Sequence, residues 1–467
     1  MKMHTDILEN QPVETKRDAL IQGDQTLESV TSKVSSIVFE WNKHPRIWYV
    51  SLLVAFAFLG VLTVGVAWLF YKGVGVWGIN IPVGWGLAIV NFEWWMAIGQ
   101  SLLLLSAGLL LMRQQWRKSI SRILESTAIF AVMCAGIFPI LHLGRPWVFY
   151  WLMPMGPNIL GLWPQFRSPL VWDVFAMSTF MVVAILYWYM GLIPDIACLR
   201  DRTKNPTVRV LTGVLALGWR GSARHWRRYQ TAYNIVAGLC VALTISAYSF
   251  VSFDFAMSII PGWHSTFLPV FYVAGAIFEG VAIALTIIIP LRAWYGLQSF
   301  ITDVHIDWLA KYLLGSNMVV VYGYFTEVFY SWYGGDKYDK LVLRNQMFGH
   351  YAPLFWIMIA CNVIAPLILW SPRLRRNISI VFIVAMFVNL GMWLERFISL
   401  ITSLSRSYIP STWGIYTPSI WEIAVFIGSI GLFLFLMCLF VRFIPLMSLT
   451  ELKTLLTSDE RGKNNSP

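Results

Sequence analysis

Ten long apolar runs, near 48–71, 84–111, 123–144, 170–193, 229–250, 268–291, 308–331, 349–370, 377–402 and 419–444, divide this sequence and constrain it more than any other feature. Each is long enough to cross about 30 Å of hydrocarbon as a helix. Composition agrees: 57% of the 467 residues are hydrophobic and 13% charged, where a soluble chain carries about 25% charged residues. The runs are continuous and do not alternate every second residue, which excludes a transmembrane β-barrel. The expected fold is therefore an all-α integral membrane protein with about ten transmembrane helices.

An even number of spans puts both termini on one side. The segments on that side hold 24 Lys and Arg near the spans, eight of them between Arg200 and Arg228, whereas the opposite loops hold seven: Lys72, Arg145, Arg167, Lys337, Lys340, Arg344 and Arg406. The excess of cytoplasmic cations in membrane proteins selects an N-in, C-in orientation, and it accounts for the net charge of +11 without nucleic acid as a partner. Residues 1–32 contain no apolar stretch of the kind a cleavable signal needs, so the N-terminal tail is expected to stay in the cytoplasm. Cys134, Cys198, Cys240, Cys361 and Cys438 are dispersed and form no C-x-x-C pair, which fits neither a disulfide framework nor an iron–sulfur site. These boundaries give a tail at 1–47, helix groups at 48–250 and 251–444, and a second tail at 445–467. The basic loop 194–228 reads as a lipid-headgroup or cytoplasmic contact. The aromatic, Pro/Gly-rich segment 145–169 is too broken to span and reads as an outer lid or docking surface.

Ionisable residues inside an apolar span are costly and call for a partner, a cavity or water. One set falls at outer ends: His142, Asp173, Asp254 and His264, with Glu93 in the outer half of the second span and Gln100 seven residues on, along the same helical face. Antiparallel packing can bring such ends together beside an apolar slot. Oxidation of a quinol arriving from the lipid needs that chemistry, because a hydroxyl must donate to an acceptor and two protons must leave with two electrons. The bland alternative is a scatter of interfacial polar residues, each satisfied by a loop. A second set comprises Glu279, Asp303, Asp307, Glu327 and the adjacent Glu395 and Arg396. It reads either as structural ion pairing or as a proton path from the cytoplasm. His142 and His350 form the one conceivable bis-histidine haem pair, and the chain is expected to carry no haem or iron–sulfur cluster of its own.

The strings LHLGRPW (141–147), LWPQFRSPLVWDVFA (162–176), SFDFAMSIIPGWHSTFLP (252–269), VAGAIF (273–278), VYGYFTEVFYSWY (321–333) and GMWLERF (391–397) resemble the NrfD or polysulfide-reductase membrane subunit family. Within it, the resemblance is nearest to the larger (ActC-type) membrane subunit of bacterial alternative complex III. It covers roughly residues 40–445. It implies two four-helix bundles in a bacterial inner membrane, with a menaquinol or ubiquinol site at the outer face of the first bundle. It also implies proton translocation and, as partners, an extracytoplasmic ActB-like iron–sulfur protein, c-type cytochromes and a second NrfD-like subunit. The family pocket corresponds to His142, Asp173 and Asp254, the three residues that the charge pattern marks, with Arg145 in the same string as His142. The second span departs from the family pattern: NFEWWMAIGQSLLL (91–104) has Gln100 where the family has histidine and Glu93 at a usually apolar position, and Glu279 stands where a small residue is usual. Gln100 can bond a quinone oxygen but cannot take a proton, which leaves Glu93 to supply that function. Two rivals are a structural anchor with a decayed site and a secondary transporter, for which internal repeats and broken spans are expected.

Overall fold

The computed structural model describes residues 20–148 and 169–464. Among these there are helices and turns and no strand. A short α1 (Leu27–Phe39) precedes α2 (Arg46–Lys72), which starts after Pro45 and stops at Gly73, where φ is +81°. There follow α3 (Gly86–Leu111), α4 (Ser121–His142), α5 (Pro169–Arg202), the short α6 (Pro206–Leu215), α7 (Ala223–Ala256) and α8 (Leu268–Trp294). The remainder is α9 (Asp303–Tyr333), the outer α10 (Lys337–Phe348), α11 (Ala352–Trp370), α12 (Ile378–Thr402), α13 (Ile420–Phe443) and α14 (Leu449–Asn464).

Nine of these helices, among the described residues, are long and apolar enough to cross a membrane. The tenth expected span is α9. At 31 residues it is about 46 Å long, but Asp303, Asp307, Lys311 and Glu327 make it more polar than the rest. The helices α3, α4, α5 and α7 pack as one four-helix bundle, and α8, α9, α11 and α12 as a second. The bundles meet where α8 lies against α3 and α7. Small side chains make that seam close: a Cβ on Gly280 of α8 would fall 2.0 Å from Ser101 Oγ of α3. The first and last spans, α2 and α13, form a pair that leans on α4. Only 11% of the apolar core of α2 is buried, which leaves Leu53, Phe56 and Val64 facing outward as lipid-contacting side chains would.

The first described helix, α1, packs against the last, α14, so these two lie at one face, called inner here, and the opposite face is outer. Helices that cross run past the expected spans into the aqueous layer: α5 continues to Arg202 and α7 begins at Ala223. Consequently Asp254, read from the sequence as lying beyond the fifth span, sits inside the last turn of α7.

Candidate functional site

The outer end of the first bundle carries a carboxyl pair. Asp173 stands on the first turns of α5 and Asp254 near the end of α7, and packing of these two helices brings their carboxyl groups close enough to interact directly. Two carboxyl groups this close can hydrogen-bond only if a proton is held between them, since an ionised carboxylate only accepts. The second oxygen of each, Oδ1, has no hydrogen-bond partner. His142 closes α4 with its ring stacked on Trp77, centroids 6.2 Å apart and planes 25° apart. Its Nδ1 is also unpartnered. Arg145 is exposed three residues on, and the expected lid beyond it lies largely outside the described residues, with 149–168.

Glu93 connects this pair to the second bundle. It is fully buried, neither carboxylate oxygen has a hydrogen-bond partner, and Asp254, Arg396 and Glu395 all lie within electrostatic range. Arg396, on α12, is fully buried too. It pairs with Glu395 at 2.9 Å and lies over the ring of Tyr272 at 4.4 Å from the centroid, where the π face attracts a cation. Glu279 of α8 lies within electrostatic range of the same guanidinium, with both oxygens unpartnered. One carboxyl group therefore pairs with this cation and two more lie within its electrostatic range, as does the unpartnered hydroxyl of Tyr248. Asp254 of the first set and Arg396 and Glu395 of the second thus share Glu93 as a common neighbour. Neither Tyr248 nor Tyr272 was expected, although Tyr248 stands six residues before Asp254 on the same helix.

Gln100, two turns below Glu93, is fully buried; its Nε2 points to Met177 Sδ at 3.9 Å and its Oε1 is unpartnered. It therefore faces α5. His264 does not join the Asp173–Asp254 pair. It is exposed in the turn before α8, its Nδ1 bonds Ser258 O at 2.9 Å, and it lines an outer cavity of the second bundle together with Glu327 and Asp339. Asp303 and Asp307 stand apart from the cluster at the inner end of α9, paired with Arg292 (2.5 Å) and with Lys311 and Arg375 (2.7 and 2.8 Å).

A second polar network was missed altogether. Arg117 and Arg122, counted from the sequence only as inner cations, are 1% and 2% exposed. Arg117 pairs with Glu125 at 3.0 Å and with Glu451 of α14 at 2.7 Å, and also bonds Tyr187 and Tyr233. Arg122 pairs with Asp195 at 2.9 Å, and Asp195 accepts from Thr450 N. These bonds tie the C-terminal helix to the inner end of the first bundle. The spacing of Arg122 and Glu125, three apart on one helix, was the local signal for them.

The profile of the family "Polysulphide reductase, NrfD" matches residues 75–406, which takes in both bundles. The chain belongs to this family. It is also similar to a protein of Halobacterium salinarum described as a "Putative dimethyl sulfoxide reductase membrane subunit", 24% identical over 425 residues, covering 83% of this chain and 91% of the relative. A selenate reductase subunit of Mesobacillus selenatarsenatis is 20% identical over 425 residues, covering 86% and 94%. The resemblance drawn from the motifs is therefore right at the level of the family, and the relatives named here are subunits of reductases. This NrfD-family chain is a multi-pass, all-helical membrane protein.

Proposed function

We propose that this subunit oxidises quinol at the outer end of its first bundle, with the N and C termini in the cytoplasm, and passes the electrons to an iron–sulfur protein docked at the outer face. The observation that carries this reading is the close approach of Asp173 and Asp254 at the outer end of the first bundle, each with an unpartnered Oδ1 and with Glu93 in electrostatic range; His142 closes α4 at the same end. In the reaction the quinol loses two electrons to the partner and two protons to the protein. An unpartnered carboxyl oxygen accepts the first hydroxyl proton, and His142 Nδ1 is a second acceptor at the same end of the bundle. Arg145 and Gln100 contribute binding: Arg145 at the mouth, Gln100 as an uncharged donor to a quinone oxygen. Glu93 links the site to the Arg396 cluster, which gives protons a buried route and makes translocation by the second bundle part of the proposal.

Two identities of the electron acceptor follow from two lines of support. The motif resemblance favours an alternative complex III, with an ActB-like protein, c-type cytochromes and a second NrfD-like subunit in a bacterial inner membrane. The relatives favour a terminal reductase partner instead, since one is described as belonging to a sulfoxide reductase and the other to a selenate reductase. Purifying the tagged chain from its native membrane and identifying the bound subunits decides between them. The site itself is tested by Asp173→Asn and His142→Ala in the assembled complex. General acid–base assistance is typically worth about 10²- to 10⁴-fold, so quinol turnover should fall by that much while the subunits still co-purify. Undiminished turnover in both variants would move the site elsewhere.

A further inference from the structure

On the second-bundle side the buried carboxyl chain ends at Glu395. One of its oxygens accepts from Ser399 Oγ at 3.2 Å and the other faces Arg396. Past Ser399 lies a cavity of about 280 Å³ bounded by α9, α10, α11 and α12, with Tyr324, Glu327, Glu395 and Ser399 in its wall. A second cavity, of about 120 Å³, opens at the outer face between the turn at 262–268, α9 and α10, and is lined by His264, Ser331, Asp339 and again Glu327. Glu327, Leu343 and Gln346 belong to both walls. Each cavity has room for water, and each offers it polar partners.

Glu327 stands six residues before the outer end of α9, about 9 Å below it. Its side chain is exposed and borders both cavities. An ionisable residue at that depth needs water or a partner, and the two cavities supply water from both directions. The backbone beside them is irregular as well. Residues 360–364 and 398–402 are π-helical turns, a feature frequent at functional sites, and the second of these carries Ser399.

We propose that Glu327 is the hand-over carboxyl of an outer proton exit that runs from Glu395 through the two cavities to His264 and Asp339. A proton leaves the Glu395 carboxyl for water in the larger cavity, is taken by the Glu327 carboxylate, and is released from Glu327 to water in the outer one. Glu395 is then reprotonated from Glu279 across Arg396, and Glu279 takes its replacement proton from the inner side, so each proton leaving by this exit is additional to the two of the quinol. The role of the exit rests on the proposed coupling to quinol oxidation, whereas the aqueous route is measurable without it.

The test uses the assembled complex in sealed vesicles, with the five native cysteines replaced and single cysteines introduced. A membrane-impermeant cationic thiosulfonate added on the outer side should modify His264→Cys, Glu327→Cys and, more slowly, Ser399→Cys, and should leave Val319→Cys on the lipid-facing side of α9 unmodified. Adding Leu343→Trp at the shared wall should abolish modification of Ser399→Cys while His264→Cys still reacts, which also reports that the variant is folded. A Glu327→Cys protein refractory from the outside, or Ser399→Cys modified equally with and without Leu343→Trp, would overturn the route. In the native-cysteine complex, Glu327→Gln should lower the protons released per quinol to the two that the quinol itself carries, with turnover of quinol kept. Only two protons per quinol in the unaltered complex, or an unchanged ratio in Glu327→Gln, would overturn the exit role. Absence of quinol oxidation with the labelling pattern intact would instead sink the quinol reading and leave the route standing.

Discussion

Removing the Arg396 charge is the perturbation with the largest expected consequence. The guanidinium is fully buried, 2.9 Å from Glu395 and within range of Glu279 and Glu93, whose four oxygens have no hydrogen-bond partner. At an effective dielectric of about 20, a unit pair at 2.9 Å attracts by about 6 kcal/mol, and desolvation of both ions offsets much of it. Removing one partner leaves the other's desolvation uncompensated, and such changes cost about 3–5 kcal/mol. Arg396→Met, close in length and apolar, should therefore destabilise the folded subunit by that amount, read as a shift in its unfolding equilibrium in SDS/detergent mixtures. The double variant Arg396→Met, Glu395→Gln should recover a large part of the loss, because a buried ion pair replaced as a unit by neutral groups is often close to neutral. A loss below about 1 kcal/mol for Arg396→Met would place the pair in the range of exposed ion pairs and refute the idea that this cation holds the three carboxyls in place.

Three further outcomes are expected. Glu93→Gln, which keeps shape and removes the acid, should depress quinol turnover by about 10²-fold or more if Glu93 joins the two carboxyl groups, measured in the assembled complex against an artificial acceptor. An outer-side impermeant thiol reagent should label a cysteine at Lys337 and not one at Ser222, the reverse pattern inverting the orientation and with it the site. Glu451→Ala should remove one of the two acidic partners of Arg117 and raise protease access to α14, with about 3–5 kcal/mol at stake because the arginine stays buried; limited proteolysis unchanged from the parent would show that Asp195 and apolar packing suffice.

Most of the architecture was legible because a membrane span announces itself by length and continuity. The helices begin and end within a few residues of the apolar runs, and where they differ, as in α5 and α7, polar residues extend a helix into water without changing its path. The pairing of α2 with α13 was not legible, since first and last spans carry no mark of each other; it depends on glycines such as Gly428 and Gly431, which admit Leu62 and Phe58. For the site, charge in an apolar run marked Asp173, Asp254, Glu93, Glu279 and Arg396, because desolvation makes each of them conspicuous. Which of them meet was not visible. His264, ten residues after Asp254, turns to the other bundle, and Glu93 proves to be a common neighbour of residues from sets that the chain order separates. The inner network escaped notice for the opposite reason: arginines at an inner span end fit the positive-inside pattern so well that burial was not suspected.

The departures in the second span acquire a physical sense from the geometry. Gln100 and Glu93 lie on one face of α3, separated by two turns, about 10 Å along the helix. A histidine at position 100 would titrate against α5, near Met177, whereas the acid at position 93 faces Asp254 on one side and Arg396 on the other. Compared with a histidine at position 100, the acid at position 93 puts the titratable group of this helix further outward, between Asp254 and the Arg396 cluster. Glu279 adds a further acid at that same guanidinium. With one cation among three carboxyl groups, full ionisation would leave two uncompensated negative charges in a desolvated site, so the cluster must hold protons to exist at all. A site that holds protons between two bundles, with the Asp173–Asp254 pair on one side and water-sized cavities on the other, is suited to passing them on. On the proposed reading Glu93 and Glu279 belong to that path, and Gln100, which cannot carry a proton, does not.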